Sequence, residues 1–296
     1  MKHLKIGLAV LFILLVSFFV VKSCVHPKRS PYAAEEPSAG VPFFSKLLGP
    51  SKQIVMAPPP APEAPAPKPA ASKTGPHMAI ILDDWGKNYT VLKYAVQIHR
   101  PLTLAIIPYL SHSKQIAEEA HAAGLGVMLH LPMEPFNKGE PMEPHTIMTT
   151  MSEKEIASIV DAAVAAIPHV EGANNHMGSA ATSDEKTMRV ILSKLKAKDL
   201  FFLDSHVATT TKGPKVARET GVLFNERDVF IDNENKLDAI KKQLERARRI
   251  ALSHGEVVVI GHDRKLTLQA IEEMVPEFDK SGVKLVYARD VVRVSK

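Results

Sequence analysis

The stretch MAIILDDWG, residues 78–86, decides how the rest of the chain is read. Met78–Leu82 is a short apolar run of strand length, and it stops at two adjacent carboxylates, Asp83 and Asp84. An apolar run bounded by a polar turn reads as a buried strand. In parallel α/β folds the C-terminal ends of strands build the site, so the carboxylate pair lies where chemistry is expected.

Outward from this strand the pattern alternates. Leu102–Ile107 is a second strand, stopped by Pro108, and Ser111–Ala123 has helical period and ends at Gly124, a natural C-cap. Val127–Leu131 is a third strand, and Ser152–Ile167 is an amphipathic helix opened by a capping box of Ser152 and Glu155. His169–Ala173 is a weaker fourth strand, followed by a helix over Ser183–Ala197 and a fifth strand over Leu200–Leu203. A long helix over Asn235–Ser253, a strand over Glu256–Ile260, a helix over Leu266–Lys280 and a strand over Val283–Tyr287 complete the series. Strands alternating with helices predict a mostly parallel sheet covered by helices. Seven or eight such units within residues 77–296 favour a closed or nearly closed barrel, with a doubly wound open sheet as the alternative. No glycine-rich phosphate loop supports nucleotide binding: Gly124-Leu125-Gly126 precedes a strand rather than following one.

Five of these strands deliver Asp or His to one edge. The first ends in Asp83-Asp84-Trp85-Gly86 and the third in His130-Leu131-Pro132-Met133-Glu134. The fourth runs into Asn174-Asn175-His176-Met177, the fifth ends in Asp204-Ser205-His206, and the late strand ends in Gly261-His262-Asp263. Trp85 can stack on a sugar ring or pack in the core. Glu134 is a binding carboxylate or a surface one, and Asn174 and Asn175 hydrogen-bond hydroxyls or shape a turn. His99, His112, His121, His145, His169 and His254 fall in helices, helix starts or linkers and read as surface residues.

The segments ILDDWG, LHLPMEP, NNHMGS, FFLDSH and VVIGH, in that order, resemble the divergent branch of the polysaccharide deacetylases, relatives of the NodB-type carbohydrate esterases. The resemblance covers the chain from Met78 onward and implies an incomplete (β/α) barrel. It implies Asp83 as catalytic base, Asp84 as ligand of a divalent metal, usually zinc, and His262 as the acid that assists the leaving group. Typical members carry two histidines four residues apart on one turn, and this sequence has no such pair. The remaining ligands then come from separate strands, His130 and His176, with His206 as a substitute for either. Trp85, Glu134, Asn175, Asp204 and His206 are the expected substrate-binding residues, with Pro135–Thr150 as a specificity loop. Two adjacent carboxylates fit this division of labour, because a metal on one leaves the other to take a proton from water.

The first 76 residues read differently. Lys2 and Lys5 precede an unbroken apolar run, Ile6–Val21, closed by Lys22. This is the pattern of a signal sequence, and without a small-x-small cleavage site it predicts a retained anchor over 1–27. Cys24, the single cysteine, offers lipidation as an alternative and leaves no thiolate in the folded part. The tract APPPAPEAPAPKPAA at 57–71 cannot form a helix and prefers extended polyproline II, so 28–76 reads as a disordered spacer. Nine Lys/Arg against three Asp/Glu precede His77, and 28 against 29 follow it. The net +5 therefore belongs to the N-terminal segment, which argues against a nucleic-acid-binding domain. Together these features predict a single-pass bacterial inner-membrane protein whose domain stands in the periplasm or envelope. Its expected activity is metal-dependent hydrolysis of N-acyl groups on an envelope polysaccharide or amino-sugar polymer. The alternative is a non-catalytic carbohydrate-binding or scaffold protein that kept the barrel.

Overall fold

The structure is a computed structural model that describes residues 75–139 and 141–294. The expected anchor over 1–27 and the spacer, apart from Gly75 and Pro76, lie outside the described residues. Among the described residues, no helix is long and apolar enough to cross a membrane.

Among the described residues, ten strands alternate with helices, except that β6 and β7 follow one another directly. Strands β1 (His77–Trp85), β2 (Thr103–Ile106) and β3 (Gly126–Met133) are separated by α1 (Leu92–Gln97) and α2 (Ser113–Ala122). Helix α3 (Glu153–Ala166) leads to β4 (Gly172–Met177), and the short α4 (Ser179–Ser183) and α5 (Glu185–Ala197) lead to β5 (Phe201–Asp204). Helix α6 (Gly213–Thr220) precedes β6 (Leu223–Glu226) and β7 (Val229–Phe230), and α7 (Leu237–His254) precedes β8 (Glu256–His262). Helix α8 (Lys265–Ser281), β9 (Lys284–Val286), α9 (Ala288–Val291) and β10 (Arg293–Val294) finish the described chain. The capping box at Ser152 and Glu155 is formed as the sequence predicts.

The strands make one sheet in the order β10-β6-β5-β4-β3-β2-β1-β8-β7, with β9 beside β1. Every pairing is parallel except the short β10–β6 contact. Strands β6 and β7 lie near opposite ends of this order, yet only Arg227 and Asp228 separate them in sequence. The two rims must therefore come within about 10 Å of each other, since the three residue steps from Glu226 to Val229 span no more. Hydrogen bonds show this directly: the Arg227 amide donates to the Asp204 carbonyl at the end of β5, and the Asp228 amide donates to the Val258 carbonyl on β8. The sheet is thus an incomplete (β/α) barrel, rolled until its edges are bridged by a dipeptide. The open doubly wound alternative is excluded, because its edges would stand apart.

Two apolar clusters follow from strand alternation. Met78, Ile80 and Leu82, with Leu104, Ile106, Val127 and Leu129, face the helices. Ala79 and Ile81, with Ala105, Met128, Phe201, Leu203, Val258 and Ile260, fill the barrel interior. Gly172 on β4 faces the Phe201 ring so closely that any β-carbon there would collide with it. That aromatic plug closes the floor and leaves the upper interior to polar residues.

The structure moves the fourth strand from His169–Ala173 to Gly172–Met177 and carries β1 through both aspartates to Trp85. It also adds α1, α6, β6 and β7 and the short α4, α9 and β10, which the sequence pattern does not mark.

Candidate active site

The same alternation that builds the interior cluster raises a polar layer above it. Asp83 continues the Ala79–Ile81 face of β1, His130 continues the Met128 face of β3, and His262 continues the Val258–Ile260 face of β8. Asn174 and His176 share one face of β4, where Asn174 is in register with His130 and His176 with Pro132. Asp83 and His262 are in register on β1 and β8. Four strands therefore place their polar ends in one layer.

Asp84 breaks the alternation. As the neighbour of Asp83 it would point at the helices in a regular strand. Instead its backbone turns left-handed, with φ of 67°, and the β1–β2 register slips between Leu82 and Trp85. Such a bulge re-aims a side chain at a modest conformational cost. Trp85 holds it in place: its indole is fully buried in the helix-side core and its carbonyl accepts from the Ile107 amide. The result is that both adjacent carboxylates reach the interior. Asp84 Oδ1 lies 3.0 Å from His176 Nδ1 and 3.2 Å from His130 Nε2, and those two nitrogens are 3.1 Å apart. One donor atom from each of the three residues falls within 4.8 Å of the others.

Around this triad the polar groups are held in fixed geometry. The Asn174 amide lies 2.8 Å from Asp83 Oδ1 through Nδ2 and 2.7 Å from His130 Nδ1 through Oδ1. His262 Nδ1 lies 2.8 Å from Asp232 Oδ1, while its backbone N–H and the Thr267 hydroxyl donate to Asp232 Oδ2. This leaves His262 Nε2 3.7 Å from Asp84 Oδ2. Gly178, in the left-handed region at φ 87°, packs where a β-carbon would sit 2.9 Å from Met133, and so lets the chain turn tightly after His176.

The electrostatics follow from burial and these contacts. Burial pushes the Asp83 carboxyl up, only partly offset by the His130 charge and the Asn174 hydrogen bond. Burial also opposes ionisation of Asp84, but hydrogen bonds from His130 and His176 outweigh it and hold the carboxyl well below the usual range. His130 is desolvated as well, yet Asp83 and Asp84 raise it to about 9 in the metal-free protein. For His262, burial is overcome by the Asp232 hydrogen bond and charge, so its imidazole is raised. Asp263, next in the chain, is pushed up to about 7 by burial and the Asp84 charge.

A cavity of about 420 Å³ opens onto this layer, lined among others by Asp83, Asp84, His130, His176 and His262. Two larger hollows hold no His/Asp/Glu cluster of this kind among the described residues. One surrounds His77 and His254 at the opposite, N-terminal end of the strands, and the other lies between Tyr89 and Ala122 on the helical surface.

Of the expected substrate residues, Asn175 and His206 line the cavity. Trp85 does not; it is core, which removes it as a sugar-stacking platform. Glu134 is buried away from the cavity lining, where it accepts from the Thr149 amide and hydroxyl and pairs with Lys138. Asp204 is also fully buried, accepting from the His206 amide and the Thr211 hydroxyl. Both carboxylates staple loops rather than face a ligand. Their parity explains Asp204, which alternates with the inward Leu203 and so points toward the helices. His206 stands 4.0 Å from Glu226 and outside the three-residue cluster. Asp232, Arg227, Phe230 and Asn233 escaped the sequence reading. Asp232 had a signal, since it follows the apolar Val229-Phe230-Ile231, but that run is too short to stand out as a strand.

A family model described as "Divergent polysaccharide deacetylase" matches residues 80–292. The uncharacterized protein YibQ of Escherichia coli is 34% identical over 198 residues, covering 67% of this chain and 62% of that protein. The chain thus spans less than two thirds of that relative's length. An uncharacterized protein of Haemophilus influenzae is 31% identical over 195 residues, covering 66% of this chain and 69% of its own. Among solved structures, an uncharacterized protein of Agrobacterium tumefaciens superposes with a TM-score of 0.68 at 20% identity, over 72% of this chain and 87% of that one, a likeness of fold.

Proposed function

The chain belongs to the divergent polysaccharide deacetylase family, and on that premise we propose that its barrel mouth hydrolyses N-acyl groups of an envelope amino-sugar polymer. The observation that carries this reading is the convergence of Asp84, His130 and His176 on one cavity that Asp83 and His262 also line, with Asp232 buried behind His262. Two imidazoles and one carboxylate suit a divalent metal of zinc type, and three protein ligands leave a position open for catalysis. A metal held there supplies Lewis acidity to the acyl carbonyl and to water. The protein groups supply the rest. Asp83, raised by burial, takes the proton of the attacking water. His262, whose protonated form Asp232 favours, gives a proton to the amide nitrogen as the carbon–nitrogen bond breaks, so a carboxylic acid and an amine leave. The polar lining of Asn175, Ser205, His206, Arg227 and Asn233 suits sugar hydroxyls, with the Phe230 ring as an apolar wall.

Metal analysis of the purified protein, joined to acetate release from N-acetylated amino-sugar oligomers, tests the reading. We expect one zinc-type ion per chain, lost in Asp84→Ala and His176→Ala together with acetate release. Stoichiometric metal that persists in both variants would sink the site as drawn. Oligomer binding with no acetate released would favour a glycan-binding barrel without turnover. The envelope location is likewise proposed, on the sequence pattern of residues 1–27 and the spacer that follows.

A further inference from the structure

We infer that Asn174 is a positioning residue that sets the tautomer of His130, so that His130 binds metal through Nε2 and His176 through Nδ1. The inference rests on the metal reading of the site for its function, while its tautomer statement concerns the protein alone. Asn174 is fully buried, and its amide orientation is fixed twice over. Its Nδ2 lies 2.8 Å from Asp83 Oδ1, which accepts when Asp83 is the ionised base of the reaction. The same Nδ2 lies 3.2 Å from Ser205 Oγ, whose one proton is donated to the Asn175 carbonyl at 3.0 Å, so Ser205 also accepts from Asn174. With both acceptors on the NH₂ side, the carbonyl Oδ1 must face His130 Nδ1 at 2.7 Å. A carbonyl only accepts, so His130 carries a proton on Nδ1. While charged, the metal-free ring also donates from Nε2 to Asp84. Once neutral, it keeps the Nδ1 proton and its lone pair lies on Nε2, the atom that faces Asp84 Oδ1 and His176 Nδ1.

Outer partners of this kind orient ligand histidines and fix their tautomer. Here one amide also holds the carboxylate of Asp83, which ties the base and a ligand to the same residue. Asn174 is placed for this by the β3–β4 register, which sets it directly beside His130.

The test is the histidine side-chain ¹⁵N spectrum of the full chain, recorded zinc-loaded and, after chelation, at alkaline pH where the imidazole is neutral. We expect a proton on His130 Nδ1 in both states, and zinc on His130 Nε2 and His176 Nδ1 in the loaded one. Asn174→Ala should scramble the His130 tautomer and weaken zinc binding by about 10- to 100-fold, measured by competition with a chelator. Asn174→Asp, which keeps an acceptor at Nδ1 but loses the donor to Asp83 and Ser205, should retain the Nδ1 proton and serves if the alanine variant fails to fold. Zinc on His130 Nδ1, or an unprotonated Nδ1 in the chelated wild-type protein, overturns the inference. An unchanged tautomer in a folded Asn174→Ala does so too. Failure to bind zinc in the wild type with the Nδ1 proton in place would instead count against the metal reading and leave the tautomer assignment supported.

Discussion

His262 and Asp232 act as one unit, with the carboxylate on Nδ1 and Nε2 facing the cavity. His262→Gln should lower kcat by about 10²- to 10⁴-fold on an N-acetylated oligomer, the usual worth of a general acid. Asp232→Asn should lower the His262 pKa, because it removes the partner that overcomes burial. An acid works while protonated, so activity is lost as pH rises through its pKa. The alkaline limb of the pH–rate profile should then move to lower pH, and an NMR titration of His262 should follow it. His130 gives a second pH effect, on stability. In the metal-free protein its pKa rises from 6.5 to about 9, so its stabilising contribution is complete below 6.5 and lost as pH climbs through about 9. Asp84 works in the other direction, stabilising above the ordinary carboxylate value of 3.8 and losing its effect as pH falls through its depressed one. Zinc needs the deprotonated imidazole, so the Tm difference between zinc-loaded and chelated protein should widen with pH over the His130 window.

At the scale of elements, the loops are held by buried carboxylates. Glu134 fixes the returning end of the 135–150 loop through the Thr149 amide and hydroxyl. Thr149→Val removes one hydrogen bond to a charged group and should cost about 1.5–3 kcal/mol in a denaturant melt, leaving zinc content unchanged. A role in gripping substrate would instead raise KM with stability intact. This is also where sequence reading reached its limit. The Asp83-Asp84 pair, His130 and His262 were legible because each follows an apolar run that reads as a strand. The pattern sets β4 too early because Asn174, Asn175 and His176 resemble a loop, although in a barrel Asn174 and His176 share the inward face of a strand. Glu134 and Asp204 sit at strand ends like the site residues, but only their hydrogen-bond partners reveal them as staples. The left-handed turn at Asp84, which makes the adjacent pair usable, leaves no mark in composition. Strands β6 and β7, four and two residues long, fall below the length at which periodicity can be read.

For the molecule as a whole, the two apolar clusters are built from residues between Met78 and Val292. A fragment of residues 75–296 should therefore melt cooperatively, within a few degrees of the full chain, and, on the proposed anchor over 1–27, should stay off membranes that would retain the full chain. Co-sedimentation of the fragment with vesicles would place a membrane contact on the barrel itself. The barrel's strand order has a further consequence, which concerns time. Strand β1 is the first element of the domain to leave the ribosome, yet it lies between β2 and β8, and β8 begins only at Glu256. At about 5–20 residues per second, one edge of this very apolar strand waits on the order of ten seconds or more for its neighbour. The barrel cannot close from its N-terminus forward, and through that interval the nascent chain presents an adhesive strand to whatever is nearby. A holding chaperone would find its target there, at the segment that later carries both aspartates.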